Sequence, residues 1–231
     1  MKFTKLTLLT LTLTCAFSTF ATQDKYFEFK EVESTLEEIT DPIMVTMAHE
    51  NALTQNFDLN NELDDVTVSI DKIIMLGKKI WDIIVKNKPV VNTKTDIAHI
   101  VPQGTSEWTD LHGWDMPKTY RAASTFKNGF GTTVVDLSFL VTFSPNGKFD
   151  DQGHYIANLT ILSETVDVLW GYNVDATANI NKALNIGTKK DPIAATQVDI
   201  NWKVKTVLKH SEKTLSLFVD GNGLTKRLSR K

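Results

Sequence analysis

A chain of 231 residues, 42% hydrophobic and 23% charged, is long enough to bury a sizeable core and too apolar for wholesale disorder. Its net charge of -3 argues against nucleic acid as the main partner, because neutralising phosphates needs a basic surface. A single cysteine, Cys15, excludes a disulfide framework.

Met1 to Ala21 reads as a secretory signal peptide. Lys2 and Lys5 precede an apolar, Thr-rich run from Leu6 to Phe17, and Thr19-Phe20-Ala21 supplies a cleavage site. The run is shorter than the ~20 residues a membrane span needs. Cleavage after Ala21 would start the mature chain near Thr22, with no cysteine and no transmembrane segment. Losing Lys2 and Lys5 would take the net charge from -3 to -5. Thr12-Leu13-Thr14 ahead of Cys15 fits a lipidation box poorly. These features predict a secreted or periplasmic protein held together by an ordinary core.

Residues 22–231 read as one domain, with 22–92 mainly helical. Tyr26 to Phe29 is a short strand or an extended arm, and Glu33 to Ile39 has helical composition. Asp41-Pro42 can restart a helix, as N-cap and first helical residue. Asn56 to Asp65 is a polar connection. Ile70 to Lys86 carries the clearest helical period. Its isoleucines and Trp81 fall on one arc, and Asp71, Lys72, Lys78, Lys79, Asp82 and Lys86 on the other. This predicts an amphipathic helix packed on a sheet, with a membrane-surface helix as the alternative.

Val90-Val91 reads as the start of a short strand, and 93–118 as an irregular loop holding Trp108 and Trp114. Residues 119–231 then alternate. Strands are expected at Tyr120 to Phe126, Val134 to Phe143 and Tyr155 to Leu162. Asn146-Gly147 is a tight-turn signal, and Ser163-Glu164 reads as a break. Val166 to Ile180 is the most regular stretch, apolar at every second residue, with Trp170 and Tyr172 on the core face. Further strands centre on Ile200 and Leu217. The predicted fold is α+β: an N-terminal helical part packed on an antiparallel β-sandwich or β-meander of at least six strands.

The five histidines, His49, His99, His112, His154 and His210, form no local metal motif; Leu53 stands where a zinc-protease helix would need its second histidine. There is no Gly-x-Ser-x-Gly elbow, phosphate loop or dinucleotide fingerprint. No catalytic residue, metal ligand or cofactor is therefore assigned. The expected ligand-binding residues are Trp108, Asp110, His112 and Trp114, because indoles among acids and hydroxyls resemble many sugar sites. The basic Lys226, Arg227, Arg230 and Lys231 read as a solvated tail, or as a contact to an acidic surface or anionic headgroups. The expected function is that of an exported non-enzymatic binding or accessory protein of the bacterial periplasm or cell exterior. Its partner would be a small molecule, a glycan or a protein, with no nucleic acid. The alternative is a cell-envelope hydrolase acting on glycan or peptide near the Trp108–Trp114 loop.

Overall fold

Among the described residues strands predominate, and they build two antiparallel sheets face to face. The computed structural model describes residues 24–40, 67–77, 79–84, 97–105 and 108–228. The first sheet holds β1 (Phe29–Ile39), β2 (Ser69–Gly77), β4 (Ala98–Gln103), β6 (Lys118–Asn128), β7 (Thr133–Phe149) and β8 (Gln152–Val168). Their spatial order is β1-β6-β7-β8-β4-β2, and the short β5 (Leu111–His112) pairs with β7. The second sheet holds β3 (Ile80–Ile84), β9 (Asn173–Ile180), β11 (Ala194–Lys205), β12 (His210–Asp220) and β13 (Thr225–Leu228). It runs β13-β12-β11-β9-β3, with β10 (Leu184–Asn185) beside β11.

The core lies between the inner faces. Phe139 of β7 stacks on Trp202 of β11 with ring centroids 6.3 Å apart, and both side chains are buried. Trp202 sits opposite Ala176 of β9, and Trp81 of β3 sits opposite Ala178. Each indole thus faces a methyl group across the ladder, a large-to-small match that lets both tryptophans fill the interlayer space. Along β9, Val174, Ala176, Ala178 and Ile180 are buried while Asn173, Asp175, Thr177 and Asn179 are half-exposed. The apolar positions of β11, Val198, Ile200, Trp202 and Val204, repeat the pattern.

The helical N-terminal part is not found. Residues 29–39 pair with β6 along their length, and 69–77 and 80–84 form β2 and β3. The Ile-rich run satisfies a helical period and a strand equally well, and β-branched side chains favour the strand once partners exist. Gly77 ends β2 at φ +94°, where a Cβ would overlap the Ile97 carbonyl oxygen. The chain there leaves the first sheet, and β3 then joins the second. Among the described residues of this part, the one helical feature is a single turn at 24–27. Asp41-Pro42, Asn56 to Asp65 and Val90-Val91 lie outside the described residues, as does the leader. The 93–118 segment is not wholly irregular either, since it contains β4 and β5.

Three punctuation marks also shift. Asn146-Gly147 is a bulge inside β7, with Asn146 at φ +68°, and the hairpin turns at Asp150-Asp151, both at positive φ. Ser163-Glu164 does not break β8: Ser138 pairs Thr165 and Phe139 pairs Ser163, so Glu164 is the extra residue of a bulge. The Val166 to Ile180 stretch is two strands in different sheets, joined by a turn at Leu169 to Tyr172. Tyr172 is buried as expected, but Trp170 sits at the turn and is 81% exposed. Of the basic C-terminal residues, Lys226 and Arg227 belong to the edge strand β13, with Arg227 donating to the Ser34 carbonyl at 2.7 Å, and Arg230 and Lys231 lie outside the described residues.

The strand assignment of 80–84 separates two neighbours that a helix would bury together. Ile80 is 59% exposed and Trp81 is 2% exposed. Ile80→Asp should change unfolding free energy by under about 1 kcal/mol, whereas Trp81→Ala should cost about 3–5 kcal/mol. Urea denaturation of the two variants checks this; equal, large losses would restore the helix.

Candidate functional site

The expected binding segment is a strap along the far part of β7. A 3-10 turn, Trp108–Asp110, leads into β5, whose Leu111 and His112 pair with Phe149 and Lys148. The Asp115 amide then donates to the Pro145 carbonyl at 3.0 Å. Trp114 is half-buried and lies on Gly147, where any Cβ would overlap the indole. That close approach explains the glycine of the Asn-Gly pair. His112 Nε2 meets Asp151 Oδ1 at 3.0 Å across the hairpin tip. His112 holds the Asp151 carboxyl below its ordinary range, first through the hydrogen bond and then through charge. Asp110 is half-buried at the strap's start, and the side chain of Trp108 lies outside the described residues. The structure therefore brings His112 to Asp151 and sets Trp114 on the bulge below them.

Other polar clusters are structural in character. His154 Nδ1 lies 2.6 Å from Asn146 Oδ1, bracing the bulge. The Glu164 bulge aims its carboxylate at Arg121, which donates from Nε at 2.6 Å and from a second guanidinium nitrogen, while Ser138 Oγ donates at 2.9 Å. The Arg121 hydrogen bond chiefly lowers the Glu164 pKa. His99 is buried on β4, and its Nδ1 accepts the amide of Asn158 at 3.2 Å. Burial pushes its pKa down to about 3. Among the described residues, no three histidines, cysteines or carboxylates are grouped to hold a metal ion.

The opposite end of the sandwich carries a feature that the sequence reading missed. The helical turn at 24–27 and Phe29 tie three connections together. The Gly129 amide donates to the Lys25 carbonyl at 2.9 Å. Tyr26 donates to the Trp170 carbonyl at 2.8 Å, and Tyr172 donates to the Tyr26 carbonyl. Thr206 Oγ1 donates to the Phe27 carbonyl at 2.9 Å. Lys209 Nζ donates to the Phe29 carbonyl at 2.6 Å and sits 5.4 Å from that ring's centre. From this clamped base Phe130, Leu169, Trp170, Val207 and Leu208 stand exposed to solvent. A groove of about 870 Å³ opens beside them, lined by Phe29, Lys30, Lys127, Asn128, Leu208 and Lys209 among others. One sequence signal was available: Val207-Leu208 is an apolar pair in a short connection between two alternating strands, where polar residues are the norm.

The buried histidine makes acid sensitivity predictable. The unfolded chain takes up this proton near the ordinary value of 6.5, the native chain only near 3. The unfolded state thus binds more protons in that window, so the contribution is complete above 6.5 and lost as pH falls. Between pH 6.5 and 5, above the carboxylate range, the loss of stability from this group should steepen from about 0.7 kcal/mol per unit toward about 1.4 kcal/mol per unit. His99→Asn, which keeps an acceptor for the Asn158 amide, should flatten that slope in urea titrations. An unchanged slope would remove His99 as its source.

No family model, curated protein or solved structure matches this chain.

Proposed function

We propose that this is an exported, non-enzymatic binding or accessory protein of the bacterial periplasm or cell exterior, and that its binding end is the clamped loop cluster around Trp170. The observation that carries the reading is the convergence of five exposed apolar side chains on three neighbouring connections. Apolar side chains scattered singly on a surface need no explanation, but a cluster of them does. The clamp matters equally. A partner meeting side chains already held in place loses less ordering entropy on binding. Loops at the end of a sandwich can also carry recognition without disturbing the ladders beneath. Export is supported by the leader-like Met1 to Ala21. A second reading keeps the strap, with Trp108, Asp110, His112 and Trp114, as a ligand site or a hydrolase centre. Its support is the contact of His112 Nε2 with Asp151, a carboxylate beside an imidazole at the exposed hairpin tip.

Two measurements test these readings. Mass spectrometry of protein recovered from an exporting host should give an N-terminus near Thr22; an intact Met1 would defeat the export proposal. A thermal-shift panel of soluble glycans and peptides should find ligands whose stabilisation survives Trp114→Ala and disappears in Trp170→Ala. A saturating ligand, at about 100 times Kd, should stabilise by about 2.7 kcal/mol. Loss in Trp114→Ala or His112→Ala alone would transfer the site to the strap.

A further inference from the structure

Resting on the reading that the Trp170 end is the binding end, we propose that its partner is a second copy of this chain, joined across a two-fold axis. Ridge and hollow lie side by side on this face. The 206–209 connection stands between the 870 Å³ groove and a hollow of about 480 Å³ lined by Lys205, Thr206 and Val207 among others. Leu208 and Lys209 line both. Val207 is 79% exposed and Leu208 53%. A projecting side chain needs a matching hollow on a folded partner. A two-fold axis sets the ridge of each copy against the groove of the other, so one face supplies both parts.

Charge selects a copy over other partners. Lys209 is engaged by the Phe29 carbonyl at 2.6 Å and Lys205 by Asp175 at 3.4 Å. Asp24, Glu28, Lys30 and Lys127 also line the groove, and among the described residues none of these four has an ion pair. Two acids and two lysines are thus left over on one wall. A surface of a single sign would repel half of them. The same patch on a second copy matches them: acids of one copy meet lysines of the other, and the two-fold repeats each pair on the far side of the axis.

The tips themselves ask for a protein. The amides of Trp170, Gly171 and Val207 have no acceptor among the described residues. An amide left unbonded away from water is costly, and a protein partner brings carbonyls and trapped waters to such groups. Trp170, 81% exposed, is also fixed in place. The Tyr26 hydroxyl donates to its carbonyl at 2.8 Å, and the Phe27 ring lies 6.2 Å from its own. An indole held in this way loses little freedom on burial, and interface energy concentrates on such anchors.

The test is the oligomeric state of the exported protein, followed by analytical ultracentrifugation over a wide concentration range. The wild type should show a monomer–dimer equilibrium. Trp170→Ala and Val207→Asp should each weaken it about tenfold. The melting temperature at high dilution should hold, because both side chains face solvent. Glu28→Lys turns the groove wall basic and Lys127→Glu turns it acidic. Each of these variants alone should stay monomeric, whereas an equal mixture of the two should form a heterodimer. That mixture decides the matter even where a tip variant fails to fold. A wild type that stays monomeric throughout overturns the proposal, as does a mixture that stays monomeric. So does a dimer indifferent to Trp170 and to both charge reversals, whose interface would lie elsewhere. A monomeric wild type whose soluble ligand is lost in Trp170→Ala refutes self-association and leaves the binding end standing. If neither self-association nor any panel ligand depends on Trp170, both readings fall.

Discussion

Burial of Trp202 between the two sheets is the contact on which the architecture depends. Its indole stacks on Phe139 from the facing sheet and meets Ala176 of the neighbouring strand. A side chain of this size is fully buried only if both layers leave room for it, so the small residues of β9 and the aromatic of β7 are parts of one packing solution. The same logic recurs one strand over, where Trp81 faces Ala178. Once these layers are fixed, every strand has an inner and an outer face, and a one-residue slip would reverse them.

The two ends of the sandwich use their side chains differently. At one end the β7–β8 hairpin closes on Asp150-Asp151, braced by the strap, the Trp114–Gly147 contact and the His112–Asp151 pair. These groups spend their side chains on each other. At the other end the residues around Tyr26 and Phe27 bond the loops through carbonyls and hydroxyls, leaving the apolar tips outward. An exposed indole loses nothing to the fold by being there, and it is available to whatever can desolvate it. Interaction is therefore expected where the fold's own demands on the side chains are least.

Bulges do much of the fine positioning. Glu164, the unpaired residue of one, reaches Arg121 and Ser138 instead of continuing the ladder. Asn158, at φ +54°, turns its amide toward the ring of His99, which the surrounding burial keeps neutral. In each case an extra or twisted residue re-aims a polar group so that it is satisfied within a sheet.

The sequence by itself determined the antiparallel β part. Along β6, β9 and β11 the alternation is long and one face of each strand is buried, so periodicity alone marks inner residues such as Ala122, Val174 and Trp202. It did not determine residues 69–77 and 80–84, because an isoleucine-rich run fits both 3.6 and 2 residues per repeat, and the choice came from the strands β4 and β9 that lie alongside. It placed Trp170 inward, since the count of alternating residues cannot sense the turn at which the chain changes sheet. The strap's residues were legible as a group, but their contacts were not, as His112 meets a residue 39 positions away. The Trp170 end was illegible altogether. Its defining bonds join residues 144, 179 and 180 apart, Tyr26 to Trp170, Phe27 to Thr206 and Phe29 to Lys209. Only the closed sandwich brings such distant residues together, because local propensity acts over a few residues and the cost of closing long loops is met by burying the core.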